Sequence, residues 1–306
     1  MSVTTLSSAR RPARAEYPTL FLLAGTYLAW AAVTILAEPI GLWVAVPLLA
    51  VILAQHSSLQ HEVIHGHPFR NQRLNDALVA PALGLLMPYG RFRSMHLAHH
   101  HDPTLTDPHD DPESNFLDPA DWARLGGPAR AVLQANNTLM GRMLLGPVLG
   151  TLALWRGDLR AARAGDRAVV RDWGWHALAV APVLAWIAAV GTMPLWAYLL
   201  GAWAALSLLR IRTFLEHRAH DRAAGRSVII EDRGPLALLF LNNNFHAVHH
   251  AHPNLPWYRL PGEYARRRDE FLRRNRGYRY RSYGEVFARH LFQRKDPVAH
   301  PLRPCP

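Results

Sequence analysis

The sequence predicts an all-α integral membrane protein: four transmembrane helices in two hairpins, with a cytoplasmic helical cap that holds a histidine-rich two-metal site. Three observations lead there. They are long uncharged segments, an uneven distribution of arginine, and three clusters of histidine at helical spacing.

The first hairpin is expected over about residues 18–60. No charged residue falls between Glu16 and Glu38, and a second uncharged run extends from Pro39 to Gln60. A helix that crosses a bilayer needs about 20 such residues. The second hairpin, about residues 173–209, is the uncharged run from Trp173 to Leu209, long enough for two crossings joined at Gly191-Thr192-Met193-Pro194. The polar stretches 61–172 and 210–306 are then the cytoplasmic region and cap of a single domain covering residues 1–306.

Arginine orients the hairpins. Arg10, Arg11 and Arg14 precede the first run, arginines crowd the region between the hairpins, and more follow Leu209. The two short connections, Ala37 to Gly41 and Gly191 to Pro194, contain neither Lys nor Arg. By the positive-inside rule both termini are cytoplasmic, and the expected location is a bacterial inner membrane. A basic segment before an apolar run also begins a secretory signal, but this run exceeds a typical h-region and no A-x-A site follows, so an uncleaved first span is expected. The formal net charge of +11 suggests nucleic acid or an anionic surface as partner; the apolar runs select the membrane surface. The single cysteine, Cys305, excludes an internal disulfide and an iron–sulfur cluster held by this chain.

Eighteen histidines are present, and they cluster. His61-Glu62-Val63-Ile64-His65 fits the HExxH pattern of zinc proteases, in which Glu62 would be the general base. Met95 to Pro103 holds His96, His99, His100 and His101, and Asn242 to Tyr258 holds His246, His249, His250 and His252. Both later clusters contain HxxHH. On a helix, residues three and four apart share a face, so each HxxHH can present three imidazoles to one point. With His61 and His65 that makes eight candidate nitrogens. One zinc takes four protein ligands or fewer, whereas two metals, each with an open position, would use them all. Imidazole suits iron, and an open position suits dioxygen. The isolated His109, His176, His290 and His300 are read as ordinary surface or core residues.

A carboxylate-rich di-iron bundle would need ExxH pairs on two helices. Glu62 to His65 spells one, but neither later cluster has a second. An all-histidine site is the better reading, with Glu62 supporting a ligand or pairing with a nearby arginine.

Taken together, the three boxes resemble those of the membrane fatty acid desaturase superfamily, from the first hairpin to His252-Pro253-Asn254-Leu255-Pro256-Trp257-Tyr258-Arg259-Leu260-Pro261. The resemblance implies four spans with the boxes on the cytoplasmic side, two iron ions, O2 as co-substrate, and oxidation of an unactivated C–H bond with two external electrons. It implies as metal ligands His61, His65, His96, His99, His100, His246, His249 and His250. It adds a further histidine just after the fourth span: His217 is nearer the membrane exit than its competitor His220. In the acyl-CoA branch an Asn stands one turn before this histidine; here that position is Thr213. The leading activity is desaturation of a fatty acyl chain, acyl-lipid or acyl-thioester. A rival is a hydroxylase or ketolase of the same architecture acting on a carotenoid or other lipid, because the segment after the third box also resembles that of carotenoid ketolases. A membrane zinc protease is the distant alternative. No side-chain general base is assigned.

Ala77 to Gly90 is apolar but too short to cross, and is expected in the interface or capping the bundle. The acidic run from His101 to Asp121 reads first as a solvated loop; its alternative role is to hold the outer N–H of a ligand imidazole through Asp102, Asp107 or Asp111. The arginine- and aromatic-rich tail carries no RNA-binding signature, so no nucleic acid is expected. It reads as a cap against anionic headgroups and as a dock for an acidic electron carrier. The resemblance implies a separate donor protein, such as a ferredoxin or small haem cytochrome.

The topology has a direct test. Reporter fusions at Glu38 and Thr192 are expected outside and fusions after Leu209 inside; a periplasmic signal from residues 220–300 would overturn the arrangement.

Overall fold

The computed structural model describes residues 15–102 and 104–303; Arg10, Arg11, Arg14 and Cys305 lie outside the described residues. It is mostly helical. Helix α1 (Tyr17–Ile35) and helix α2 (Leu42–Ile64) form the first hairpin. Gly41 turns the chain between them at φ +77°, a left-handed conformation in which a Cβ would be strained. Among the described residues these are the two helices long and apolar enough to cross a membrane.

The remaining helices that position the site are α3 (Tyr89–His101), α4 (Gly146–Arg163), α5 (Arg167–Ala189), α6 (Leu195–Thr213), α7 (His246–Ala251) and α8 (Tyr283–His290). Where the second hairpin was expected, the chain forms two long helices, α5 and α6, of 23 and 19 residues. Arg167, Arg171 and Asp172 at the start of α5, and Arg210 and Arg212 at the end of α6, make both less apolar than the first pair. The two connections meet: the Glu38 amide donates to Thr192 Oγ1 at 3.0 Å, and the Thr192 amide to the Thr34 carbonyl at 2.9 Å. The hairpins are therefore joined at the same end.

The main core lies between α2 and α6. Leu49 and Leu53 on α2 pack with Ala197, Tyr198, Ala202 and Ala205 on α6, all buried. Small residues at 197, 201 and 205 recur every four positions, which lets two backbones approach. At Gly201 the approach is so close that an added Cβ would lie 2.7 Å from Leu49 Cδ2. The outward faces remain apolar: Phe21, Leu28, Trp43, Trp175, Leu178 and Trp196 are exposed, as a lipid-facing surface would be.

Ala77 to Gly90 is not a cap but packs in among the helices, in largely irregular backbone after Leu78, with Leu83 in the main core. Carbonyls of a buried loop need donors, and side chains from three helices provide them. Tyr198 Oη donates to the Leu83 carbonyl at 2.7 Å, His176 Nε2 to Leu85 at 2.9 Å and Trp155 Nε1 to Leu86 at 3.1 Å. Trp30 Nε1 in turn donates to Tyr198 Oη at 2.9 Å, tying α1 into the same network. Beyond α6, strand β1 (Ile229–Ile230) pairs in parallel with β2 (Arg279–Tyr280), and the Ala247 amide donates to the Val228 carbonyl at 3.0 Å. This small sheet fixes α7 against the end of α6.

The tight α2–α6 crossing generates a prediction. Gly201→Val overpacks it and is expected to cost about 1–3 kcal/mol, whereas Gly201→Ala requires only a shift of the Leu49 side-chain end. Thermal unfolding in detergent should rank wild type above Ala above Val.

Candidate metal centre

Box 1 ends α2, box 2 ends α3, and box 3 forms α7. The three helix segments meet so that their histidines sort into two nests. In the first are His61, His65, His96, His100 and His249; in the second are His99, His217, His246 and His250. Within each nest, one ring nitrogen per residue lies within 4.8 Å of all the others. Neither HxxHH serves a single nest. Box 2 gives its i and i+4 residues, His96 and His100, to the first and His99 to the second, while box 3 gives His246 and His250 to the second and His249 to the first. The nests abut, since the rings of His100 and His250 stack at 4.3 Å.

The nitrogen geometry bears on whether metals fit. The Nε2–Nε2 separations are 3.0 Å for His65–His96, 3.0 Å for His100–His249, 2.9 Å for His99–His217, 3.0 Å for His217–His246 and 3.1 Å for His246–His250. Several of these rings are held at Nδ1. His99 Nδ1 donates to Asp111 Oδ1 at 2.8 Å, His96 Nδ1 to Glu113 Oε1 at 3.0 Å, and His246 Nδ1 to Asn243 Oδ1 at 3.2 Å. A neutral imidazole that donates from Nδ1 has a lone pair on Nε2. The lone pairs of His96, His99 and His246 therefore point into the nests. Buried His61 Nε2 has no hydrogen-bond partner among the described residues. Ligand atoms on a metal at about 2.0–2.1 Å sit about 3.0–3.4 Å apart, so cations between these nitrogens fit the donor set.

Electrostatics agree. Burial, reinforced by neighbouring imidazoles, holds His217, His246, His249 and His250 well below the ordinary imidazole range. The same causes push His100 down to about 2. His99 is the exception: burial opposes its charge, but the Asp111 hydrogen bond and the carboxylates of Glu113 and Glu216 outweigh it and raise the pKa.

His217 joins the second nest, whereas His220 accepts the Arg222 amide at Nδ1 outside it. His101 contacts the Leu97 carbonyl, His252 faces Glu263, and His109, His176, His290 and His300 bond to Asp118, the Leu85 carbonyl, Tyr280 and Thr106 outside the nests. Of the three aspartates expected behind a ligand, Asp111 alone is there. Asp102 accepts the Thr104 amide and Asp107 pairs with Arg303. The acidic run is only partly a solvated loop: Thr106, Asp111 and Phe116 are buried, and Arg142 donates to Asn115. Among the described residues Glu62 does not meet an arginine. Its Oε1 accepts the Trp257 amide at 3.0 Å, and His67 Nε2 stands 3.9 Å away.

Sequence reasoning missed Glu113, Glu216 and Asn243. Glu216 Oε1 receives Asn243 Nδ2 at 2.9 Å and pairs with Arg212 at 3.0 Å, so one polar chain links α6 to the His246 ring. The signals were local: Glu216 precedes His217, and three asparagines precede box 3. The backbone at Leu241 and Asn242 is left-handed, turning the asparagine run inward.

A mostly helical chain with two helices of membrane length and two adjoining histidine nests able to hold metal ions fits a class of membrane-associated metal-binding proteins. Within it, the profile of the family described as fatty acid desaturase matches residues 37–282, and the chain belongs to that family. No curated protein matches the chain.

Acid should loosen the site. Five histidines are kept neutral when folded, so below about pH 6.5 the unfolded chain binds more protons and stability falls as pH drops further; His99, raised, runs the other way but is one group against five. Chelator-treated protein is expected to melt several degrees lower at pH 5.5 than at pH 7.5. Asp111→Asn, which weakens the hold on His99, should lower metal affinity about 10–100-fold.

Proposed function

We propose that the chain is a di-iron, O2-dependent membrane oxidoreductase that desaturates a fatty acyl chain, carried as an acyl-lipid or acyl-thioester. The single observation that carries this reading is the convergence of nine imidazoles into two adjoining nests with inward lone pairs. The proposed ligands are His61, His65, His96, His100 and His249 for one iron and His99, His217, His246 and His250 for the other. An iron pair bound there would supply reduction of O2 and removal of hydrogen from an unactivated C–H bond, chemistry beyond amino-acid side chains. The chain's own residues hold the rings: Asp111 and Glu113 fix His99 and His96, and Asn243, itself held by Glu216, fixes His246. Six of the nine imidazoles are buried and His100, His217 and His250 are partly exposed, so the protein limits the access of bulk water.

The balance is that two hydrogens leave the acyl chain while O2, two electrons and two protons become two waters. The electrons come from a separate protein, a ferredoxin or small haem cytochrome, docking on the basic cap. We read α5 and α6 as the second pair of crossings, giving hairpins at about 18–60 and 173–209 with the termini, 61–172 and 210–306 on the cytoplasmic side of a bacterial inner membrane. The hydrogen bond between Glu38 and Thr192 supports placing both connections on one side. Insertion of oxygen into a carotenoid or other lipid is the second reading, favoured by the sequence after box 3, and product analysis separates the two.

The zinc protease reading requires Glu62 as a base, yet its carboxylate is occupied by the Trp257 amide. Glu62→Gln is expected to retain measurable oxidation of a lipid substrate, reduced about 10–100-fold at most, while His61→Ala abolishes it. Lipid profiles of a host expressing wild type, His99→Ala and Glu62→Gln provide the measurement. Proteolysis by wild type that vanishes in Glu62→Gln would overturn the proposal.

A further inference from the structure

Helix α4 lies across the histidine end of the second helix pair. Arg210 Nη2, near the end of α6, donates to the Gly146 carbonyl at 3.3 Å, and a Cβ added at Gly150 would collide with the same nitrogen. Further along α4, Asp158 receives Trp173 Nε1, near the start of α5, at 2.9 Å and pairs with Arg91 Nη2 of α3 at 2.9 Å. Asp158 is the one acid of α4, and it is buried with Gly146 and Pro147 on the side that faces the protein.

The outward side is apolar and open. Val148, Leu152, Trp155 and Leu159 recur at spacings of four, three and four, which makes one stripe of a helix, and each is 39–51% exposed. Arg156 and Arg160 follow stripe residues by one position, about 100° round the helix, and Arg163 stands one turn beyond Leu159. Arginine therefore borders the stripe. Arg156, Arg160, Arg163 and, at the start of α5, Arg167 are exposed and have no carboxylate partner among the described residues.

Two observations identify what covers this side. Exposed aromatic rings gather at two levels: Trp43 and Trp196 at the starts of α2 and α6, beside the connection of Glu38 with Thr192, and Tyr17, Trp155 and Trp175 at the histidine end. Aromatic side chains collect in this way at the two edges of a bilayer, which puts Trp155 at the level of one edge. The charges agree. Unpaired arginines call for anions and the stripe calls for hydrocarbon; an anionic bilayer surface offers both, whereas the acidic face of a soluble protein answers the arginines alone.

We propose that α4 is an in-plane membrane anchor, which sinks Val148, Leu152, Trp155 and Leu159 into the cytoplasmic leaflet and sets Arg156, Arg160 and Arg163 among anionic phospholipid headgroups. The proposal rests on the membrane reading of α5 and α6 given above. Through Asp158 and Arg91 the anchor is joined to α3, the helix that carries His96, His99 and His100, so it ties the metal centre to the level of the headgroups.

The test is the collision of a nitroxide spin label with O2, which partitions into lipid, and with a water-soluble nickel chelate. Labels are placed singly at Leu152→Cys, Leu159→Cys, Ala153→Cys and Leu178→Cys in a full chain carrying Cys305→Ser, reconstituted in vesicles of phosphatidylcholine and phosphatidylglycerol. All four labelled side chains are exposed. Labels at 152 and 159 are expected to favour O2, and the label at 153, beyond the arginine border, to favour nickel. The ratio of O2 to nickel collisions at 159 is expected to fall roughly two-fold when Arg156, Arg160 and Arg163 are all changed to Gln, and likewise for the wild-type arginines in pure phosphatidylcholine. A ratio that ignores both changes overturns the headgroup contact. Nickel access at 152 and 159, or low access of both probes as under a second copy or a protein partner, overturns the anchor. Lipid exposure at 178 on α5 with water at 152 and 159 sinks the anchor alone, whereas water at all three sinks the membrane reading of α5 as well. None of these readouts depends on iron or turnover, so they stand apart from the oxidoreductase reading.

Discussion

The crowding of nine imidazoles is the constraint around which this protein is built. Nine imidazoles, several with Nδ1 anchored outward, aim nitrogens at one another at about 3 Å. Left to itself such an arrangement pushes apart, and burial denies it the protons that would otherwise relieve it. The surrounding structure is therefore stiff. A small-residue seam locks α2 to α6, a side-chain network supports the irregular segment after Leu78, and a two-stranded sheet pins α7.

Much of this was legible in the sequence because it depends on period. HxxxH and HxxHH are helical spacings, and every box histidine assigned from them enters a nest. Uncharged length likewise marked the two helices of membrane length, α1 and α2. What the sequence hid depends on contacts distant along the chain. Residues 96 and 113 are separated by a turn-rich loop whose folding no periodicity encodes, so Glu113 was invisible while Asp111 was one of three equal choices. The sorting of each HxxHH between two nests was equally hidden, because spacing shows that residues share a face and not which neighbour lies opposite. Glu62 followed the same logic: its partner, the Trp257 amide, is 195 residues away.

The two halves of the molecule also divide the work by chemistry. The apolar half offers lipid-compatible surface, with Trp43 95% exposed, and its buried polar groups are spent on joining helices. The polar half holds the titratable groups and the arginine-rich cap. The histidine nests lie at the boundary, at the ends of α2 and α3 and next to the end of α6. That is where an apolar chain and a water-soluble partner could both approach.

The crossed allocation of the two HxxHH segments has a consequence for how the chain matures. His249 completes the first nest, while His246 and His250 complete the second, all within one six-residue helix. Neither nest is complete in a nascent chain that has reached only His217: the first lacks His249 and the second lacks His246 and His250. Both are completed together, when one short helix made late in translation is added. A truncated product is thus left with both nests incomplete, and assembly of the centre doubles as a check that synthesis has run past residue 250.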